Sequence, residues 1–110
     1  MPTQYDYDGR RFTRSDTPTA PIAQYIQEGN ILRGSFAGAD IVFGCLSGVV
    51  ESDGSLHFTY SMVDRADTVI AGECRSTPDR DAEGRIVLRE EWQRFTPAPS
   101  RGVSFLREIT

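Results

Sequence analysis

Apolar and polar residues alternate with a period of two along most of the chain. Leu56, Phe58, Tyr60 and Met62 share one side of an extended segment, and His57, Thr59 and Ser61 share the other. Ile86, Leu88, Glu90, Trp92 and Arg94 alternate in the same way with Val87, Arg89, Glu91, Gln93 and Phe95. Val103, Phe105 and Ile109 alternate with Ser104 and Glu108, while Leu106 and Arg107 blur the pattern. Successive side chains of a strand point to opposite faces, so this period reads as β-structure. No window carries a sustained i, i+3, i+4, i+7 apolar stripe, and no helix is expected.

Turn signals separate the alternating segments. They fall at Glu28-Gly29-Asn30, Ala37 to Asp40, Ser52-Asp53-Gly54-Ser55, Asp64 to Asp67, a longer polar loop from Pro78 to Gly84, and Pro97 to Gly102. The Asp53-Gly54 pair suits a tight hairpin, because glycine accepts positive φ without steric cost. These bounds predict strands over 4–13, 21–28, 31–37, 40–50, 55–63, 68–76, 85–95 and 103–109. Tyr5 to Arg10 offers a second reading, a small hairpin turning at Asp8-Gly9. Ser15 to Pro21 is a polar connector, either a solvated loop or a flap over one end of the fold.

Short links between successive strands make antiparallel neighbours. A meander of about eight strands must hide its two edges, and closing the sheet on itself does so. The expected fold is therefore all-β: an up-and-down antiparallel barrel of about eight strands, calycin- or avidin-like in kind, in one domain over residues 1–110. A β-sandwich is the alternative. A barrel of this size is either filled by its own side chains or holds one small ligand.

Charge and composition narrow the function classes. The formal net charge of -4 disfavours nucleic acid, which calls for a basic surface. All 12 basic residues are arginine. Without lysine there is no Schiff-base chemistry, no pyridoxal phosphate anchor and no P-loop ammonium. His57 is the sole histidine, and Cys45 and Cys74 are the sole cysteines, so a His/Cys zinc site would need nearly all of them to converge. No metal and no cofactor is expected. A G-x-S-x-G nucleophile turn is absent. Met1 to Asp6 has neither the basic region nor the apolar run of a signal peptide, and no stretch approaches the ~20 apolar residues of a membrane helix. A cytoplasmic location with reduced thiols and no membrane partner is the expectation.

Several segments carry a family resemblance. They are Gln27-Glu28-Gly29-Asn30-Ile31-Leu32, Phe36-Ala37-Gly38-Ala39-Asp40-Ile41, Gly44-Cys45-Leu46-Ser47-Gly48, Gly72-Glu73-Cys74-Arg75-Ser76-Thr77-Pro78 and Glu90-Glu91-Trp92-Gln93. With the Tyr5 to Phe12 opening, they make the chain resemble a family of small bacterial proteins that carry the label N-acetylglutamate synthase. That label implies acetyl transfer from acetyl-CoA. The pyrophosphate loop of the usual acetyltransferase fold, [Q/R]-x-x-G-x-[G/A], does not occur in this chain. The chain also departs from the family's pattern at Cys45 and at Ser61-Met62, where histidine is common.

The candidate site follows from the parity of the strands. Glu90 shares a face with Leu88 and Trp92; if that face points inward, desolvation raises its pKa and suits it to be a general acid or a neutral hydrogen-bond donor. The plainer reading pairs Glu90 with Arg75 or Arg94. Tyr60 is the second acid–base candidate. Tyr25, Phe43, Cys45, Phe58, Trp92 and Arg75 are the candidate ligand-binding residues. Both faces of the 40–50 strand are largely apolar, which leaves its parity open. Cys45 as a nucleophile would need a base, and His57 is expected on the face opposite Tyr60; an inert buried thiol is the default. Adjacent Glu90 and Glu91 point to opposite faces and cannot act as a dyad. Glu91 and Gln93 belong to the solvent face or to a subunit interface, which leaves a homodimer open.

Two functions fit these residues. One is a barrel that binds a small apolar or amphipathic molecule. The other is a cofactor-independent cyclase or isomerase of small-molecule (secondary metabolite) biosynthesis, with Glu90 or a tyrosine moving the proton. A structural oligomer with a filled core is a third reading.

Overall fold

The computed structural model describes residues 5–14 and 20–109. Most of the expected connector, Ser15 to Thr19, lies outside them. Eight strands form one closed antiparallel barrel in sequence order: β1 (Arg11–Arg14), β2 (Ile22–Glu28), β3 (Ile31–Gly38), β4 (Ile41–Val50), β5 (Leu56–Asp64), β6 (Val69–Arg80), β7 (Ile86–Thr96) and β8 (Ser100–Ile109). β8 returns to β1 through a register from Arg11↔Ile109 to Arg14↔Leu106. That ladder closes the sheet on itself and rules out the sandwich.

Period-two alternation puts one row of each strand inside. At one end the interior is solid. Leu32, Val50, Leu56, Ile86 and Leu88 are buried there, and each fully buried Leu or Ile contributes about 1.5–3 kcal/mol. Tyr5 and Tyr7, ahead of β1, fold under this end and are themselves buried. The Tyr7 hydroxyl donates a 2.6 Å hydrogen bond to the Gly54 carbonyl in the β4–β5 turn. Its ring lies 6.3 Å from Phe12 and 6.4 Å from Tyr25, so the stopper packs directly on the core.

Three expected boundaries are corrected. The strand expected over 4–13 shrinks to Arg11–Arg14, because the chain turns at Asp8-Gly9: Gly9 has φ 75°, and Arg10 N–H donates to the Tyr7 carbonyl at 3.2 Å. The loop expected to open at Pro78 is strand as far as Arg80. β6 overhangs β5, whose ladder with it ends at Leu56↔Ser76, so Pro78 has a strand partner only on the β7 side, where it faces Leu88. An overhang is an edge, and an edge tolerates a residue that cannot donate. Finally, β8 begins at Ser100 rather than 103, with Gly102 paired to Trp92.

Candidate functional site

The other end of the barrel is hollow. A cavity of about 230 Å³ opens between the β3–β4, β5–β6 and β7–β8 turns. Its apolar wall includes Phe12, Phe36, Leu46, Phe58 and Trp92; its polar groups come from Arg14, Tyr25, Tyr60, Cys74, Glu90, Arg94 and Ser104.

The lumen stays open because large rings lie flat on cross-strand glycines. Trp92 faces Gly102 across the β7–β8 ladder, and a Cβ built on Gly102 would meet the indole Cζ2 at 2.5 Å. Phe36 lies over Gly44 in the same way, and the end of the Tyr60 ring lies over Gly72. A residue with a side chain at these glycines would tip each ring toward the axis. The indole is also pinned by its N–H, which donates to Ser104 Oγ at 3.0 Å.

Glu90 sits on β7 opposite Ser76 and Ser104. The Cys74 thiol donates to its Oε2 at 3.6 Å. Burial pushes the Glu90 carboxyl up to about 7, against the Cys74 and Ser76 hydrogen bonds and the Arg14 charge, which favour the ionised form. Tyr25 is 1% exposed, and its hydroxyl is held well above the ordinary phenol range by burial and by the nearby Glu90. Burial also raises Tyr60, with Arg94 beside it pulling the other way. The Cys74 thiol is raised by burial and by Glu90, so it is no ready nucleophile. This chemistry can bind, donate hydrogen bonds and share one proton at Glu90.

Of the residues singled out from sequence, the structure brings Tyr25, Phe58, Tyr60, Glu90 and Trp92 together around the cavity. Phe43, Cys45 and Arg75 are corrected: all three face outward and are exposed. In β4 the inward row is Gly44, Leu46, Gly48 and Val50, and a register shift between Ile41 and Phe43 sets that parity. Arg75 lies between inward Cys74 and Ser76, so it must point out, where it approaches Glu51 at 3.7 Å. It therefore cannot pair with Glu90. Arg94 does reach the cavity, yet among the described residues it forms no ion pair with Glu90. Cys45 and Cys74 stand on opposite sides of the wall, both as free thiols. His57 is outside as well, bonded through Nε2 to Glu73 at 2.6 Å, and is remote from any interior nucleophile.

Sequence reading passed over Arg14, Ser104 and the buried Glu108. Glu108 accepts from Ile86 N–H at 3.1 Å and is paired with Arg10. Its signal was available in the β8 alternation, since Ser104, Leu106 and Glu108 share one parity, but the apolar Val103 and Phe105 on the other row masked it. Among the described residues no group of three or more His, Cys, Asp or Glu side chains is placed to hold a metal ion. No helix among them is long and apolar enough to cross a membrane.

Comparison with known proteins adds one finding to this geometry. No curated protein and no solved structure matches the chain. A family model described as avidin-like protein matches residues 5–109, nearly the whole of the barrel and its stopper, and the chain belongs to that family.

Proposed function

We propose that this protein binds a small, largely apolar molecule in the barrel lumen. The observation that carries the reading is the cavity itself: about 230 Å³, open at one end, with aromatic walls and a few converging polar groups. Pockets for drug-sized ligands run from about 300 Å³ upward, so the occupant is compact. Trp92, Phe58 and Phe36 supply its apolar contacts; Glu90, Tyr25 and Tyr60 orient it. Membership of an avidin-like family supports the same reading. Trp92 is the single tryptophan of the chain, so its fluorescence reports occupancy directly. A library of compact apolar compounds is titrated against that signal. Leu46→Trp, which fills the lumen, is expected to abolish binding, with calorimetry as the readout for the variant. Undiminished binding by a folded Leu46→Trp chain would place the ligand elsewhere.

A second reading, a cofactor-independent cyclase or isomerase, draws on one observation, the Glu90 carboxyl held near neutrality. A bound compound recovered unchanged by mass spectrometry favours the binder; a rearranged product lost in Glu90→Gln favours the enzyme. Acetyl transfer from acetyl-CoA draws on neither observation. The described residues hold no helix N-terminus for a pyrophosphate, and the lumen is far smaller than that cofactor.

A further inference from the structure

We propose that the lumen selects ligands with an anionic head group, a carboxylate received by the Arg94 guanidinium at the open end while the apolar body lies against Trp92 and Phe58. The inference rests on the lumen being the binding site and adds the chemical class of what it takes.

The first argument is charge. The whole chain is acidic, at -4, yet the cavity is lined by two arginines, Arg14 and Arg94, and by one acidic residue, Glu90. An acidic protein that places arginine side chains at this cavity favours an anion there. Glu90 does not cancel them, because in its uncharged form it offers a hydrogen bond rather than a repelling charge. The other inward carboxylate, Glu108, is committed at the closed end to Arg10 and Ile86 N–H.

The second argument is the state of Arg94. It is the last inward residue of β7 before Phe95 and Thr96 at the open end. Its cross-strand neighbour is Gly72, and the space a side chain would take there is filled by the end of the Tyr60 ring, beside Arg94. Its guanidinium carbon lies 5.3 Å from the centre of the Trp92 ring. Its Nε is buried and has no hydrogen-bond partner. A buried donor left unmet is rare and costs stability. Among the described residues no carboxylate lies in ion-pair contact with it. Guanidinium geometry presents paired in-plane donors that match the two oxygens of a carboxylate, and contact with an aromatic face leaves them free for that partner. The Tyr60 hydroxyl, over Gly72, accepts a hydrogen bond from the guanidinium and so helps to hold it at the rim.

The test compares matched pairs in which only the charge of the head differs. The probes are 2-naphthoate and 2-naphthamide, with benzoate and benzamide as a smaller pair, measured by titration calorimetry at pH 6. The wild-type chain is expected to bind each carboxylate at least tenfold more tightly than its amide. Arg94→Gln is expected to erase the preference, so that acid and amide bind alike. Arg101→Gln, at an exposed outward position of β8, is expected to keep the preference. Equal affinity of acid and amide for the wild-type chain overturns the head-group inference and leaves the lumen as the binding site. Absence of binding by either member of both pairs at millimolar concentration overturns the inference. In that case the compound library on the Trp92 signal decides separately whether the lumen binds at all.

Discussion

Replacing Glu90 with glutamine keeps the shape of the side chain and removes only its capacity to ionise. In the folded chain the Glu90 carboxyl titrates near 7 rather than at the ordinary 4.5, chiefly because burial penalises the anion. A carboxyl whose folded pKa is raised holds its proton longer in the native state than in the unfolded one. Stability therefore falls as pH rises from about 4.5 to about 7 and is level beyond that. At about 1.4 kcal/mol per pH unit, the loss attributable to Glu90 is at most about 3 kcal/mol, and water in the open lumen reduces it. The assay is urea denaturation of wild type and Glu90→Gln from pH 4.5 to 8, followed by far-ultraviolet circular dichroism. Titrations elsewhere are common to both chains and cancel in the difference. The glutamine variant should gain on the wild type with rising pH, by roughly 1–3 kcal/mol between the ends of the range. A difference that does not change with pH would show that Glu90 ionises as it does in water, and the desolvated lumen floor would have to be abandoned.

Other expectations follow from the wall and the stopper. Gly102→Ala should tip Trp92 into the lumen, cost about 1–3 kcal/mol and abolish ligand binding while circular dichroism still shows a barrel. Gly72→Ala should cost more in thermal denaturation, because its Cβ would strike the Gln93 backbone carbonyl as well as the Tyr60 ring. Tyr7→Phe removes the 2.6 Å bond to the Gly54 carbonyl and should destabilise by about 1–3 kcal/mol in the same experiment. A disulfide reagent should modify Cys45 alone in the native protein and reach Cys74 only in denaturant; rapid reaction of two thiols without denaturant would contradict the burial of Cys74.

The barrel was legible because alternation and turn chemistry are local. Leu56 to Met62 and Ile86 to Arg94 show their inward rows without reference to anything else in the chain. β4 was not legible. Ile41, Phe43 and Cys45 on one row are as apolar as Val42, Leu46 and Val50 on the other, and the register shift that decides between them arises from pairing with β5. For the same reason the sequence alone does not reveal that Phe43 and Cys45 face outward. The role of the glycines was out of reach for a different reason. Gly72 and Gly102 matter through the rings of Tyr60 and Trp92, which become neighbours only across the ladders. Pro78 misled because a proline reads as a loop signal until it is known that β6 overhangs its partner.

Among the described residues, the stopper made by Tyr5 and Tyr7 leaves a single doorway to the lumen. A guest must depart by the route it came, and whichever part arrived last is the first to go. Dwell time then belongs to the rim, while shape discrimination belongs to the chamber behind it. The two could drift apart under selection, the hairpins around Asp40, Asp64 and Pro97 changing length without disturbing a single ring of the chamber.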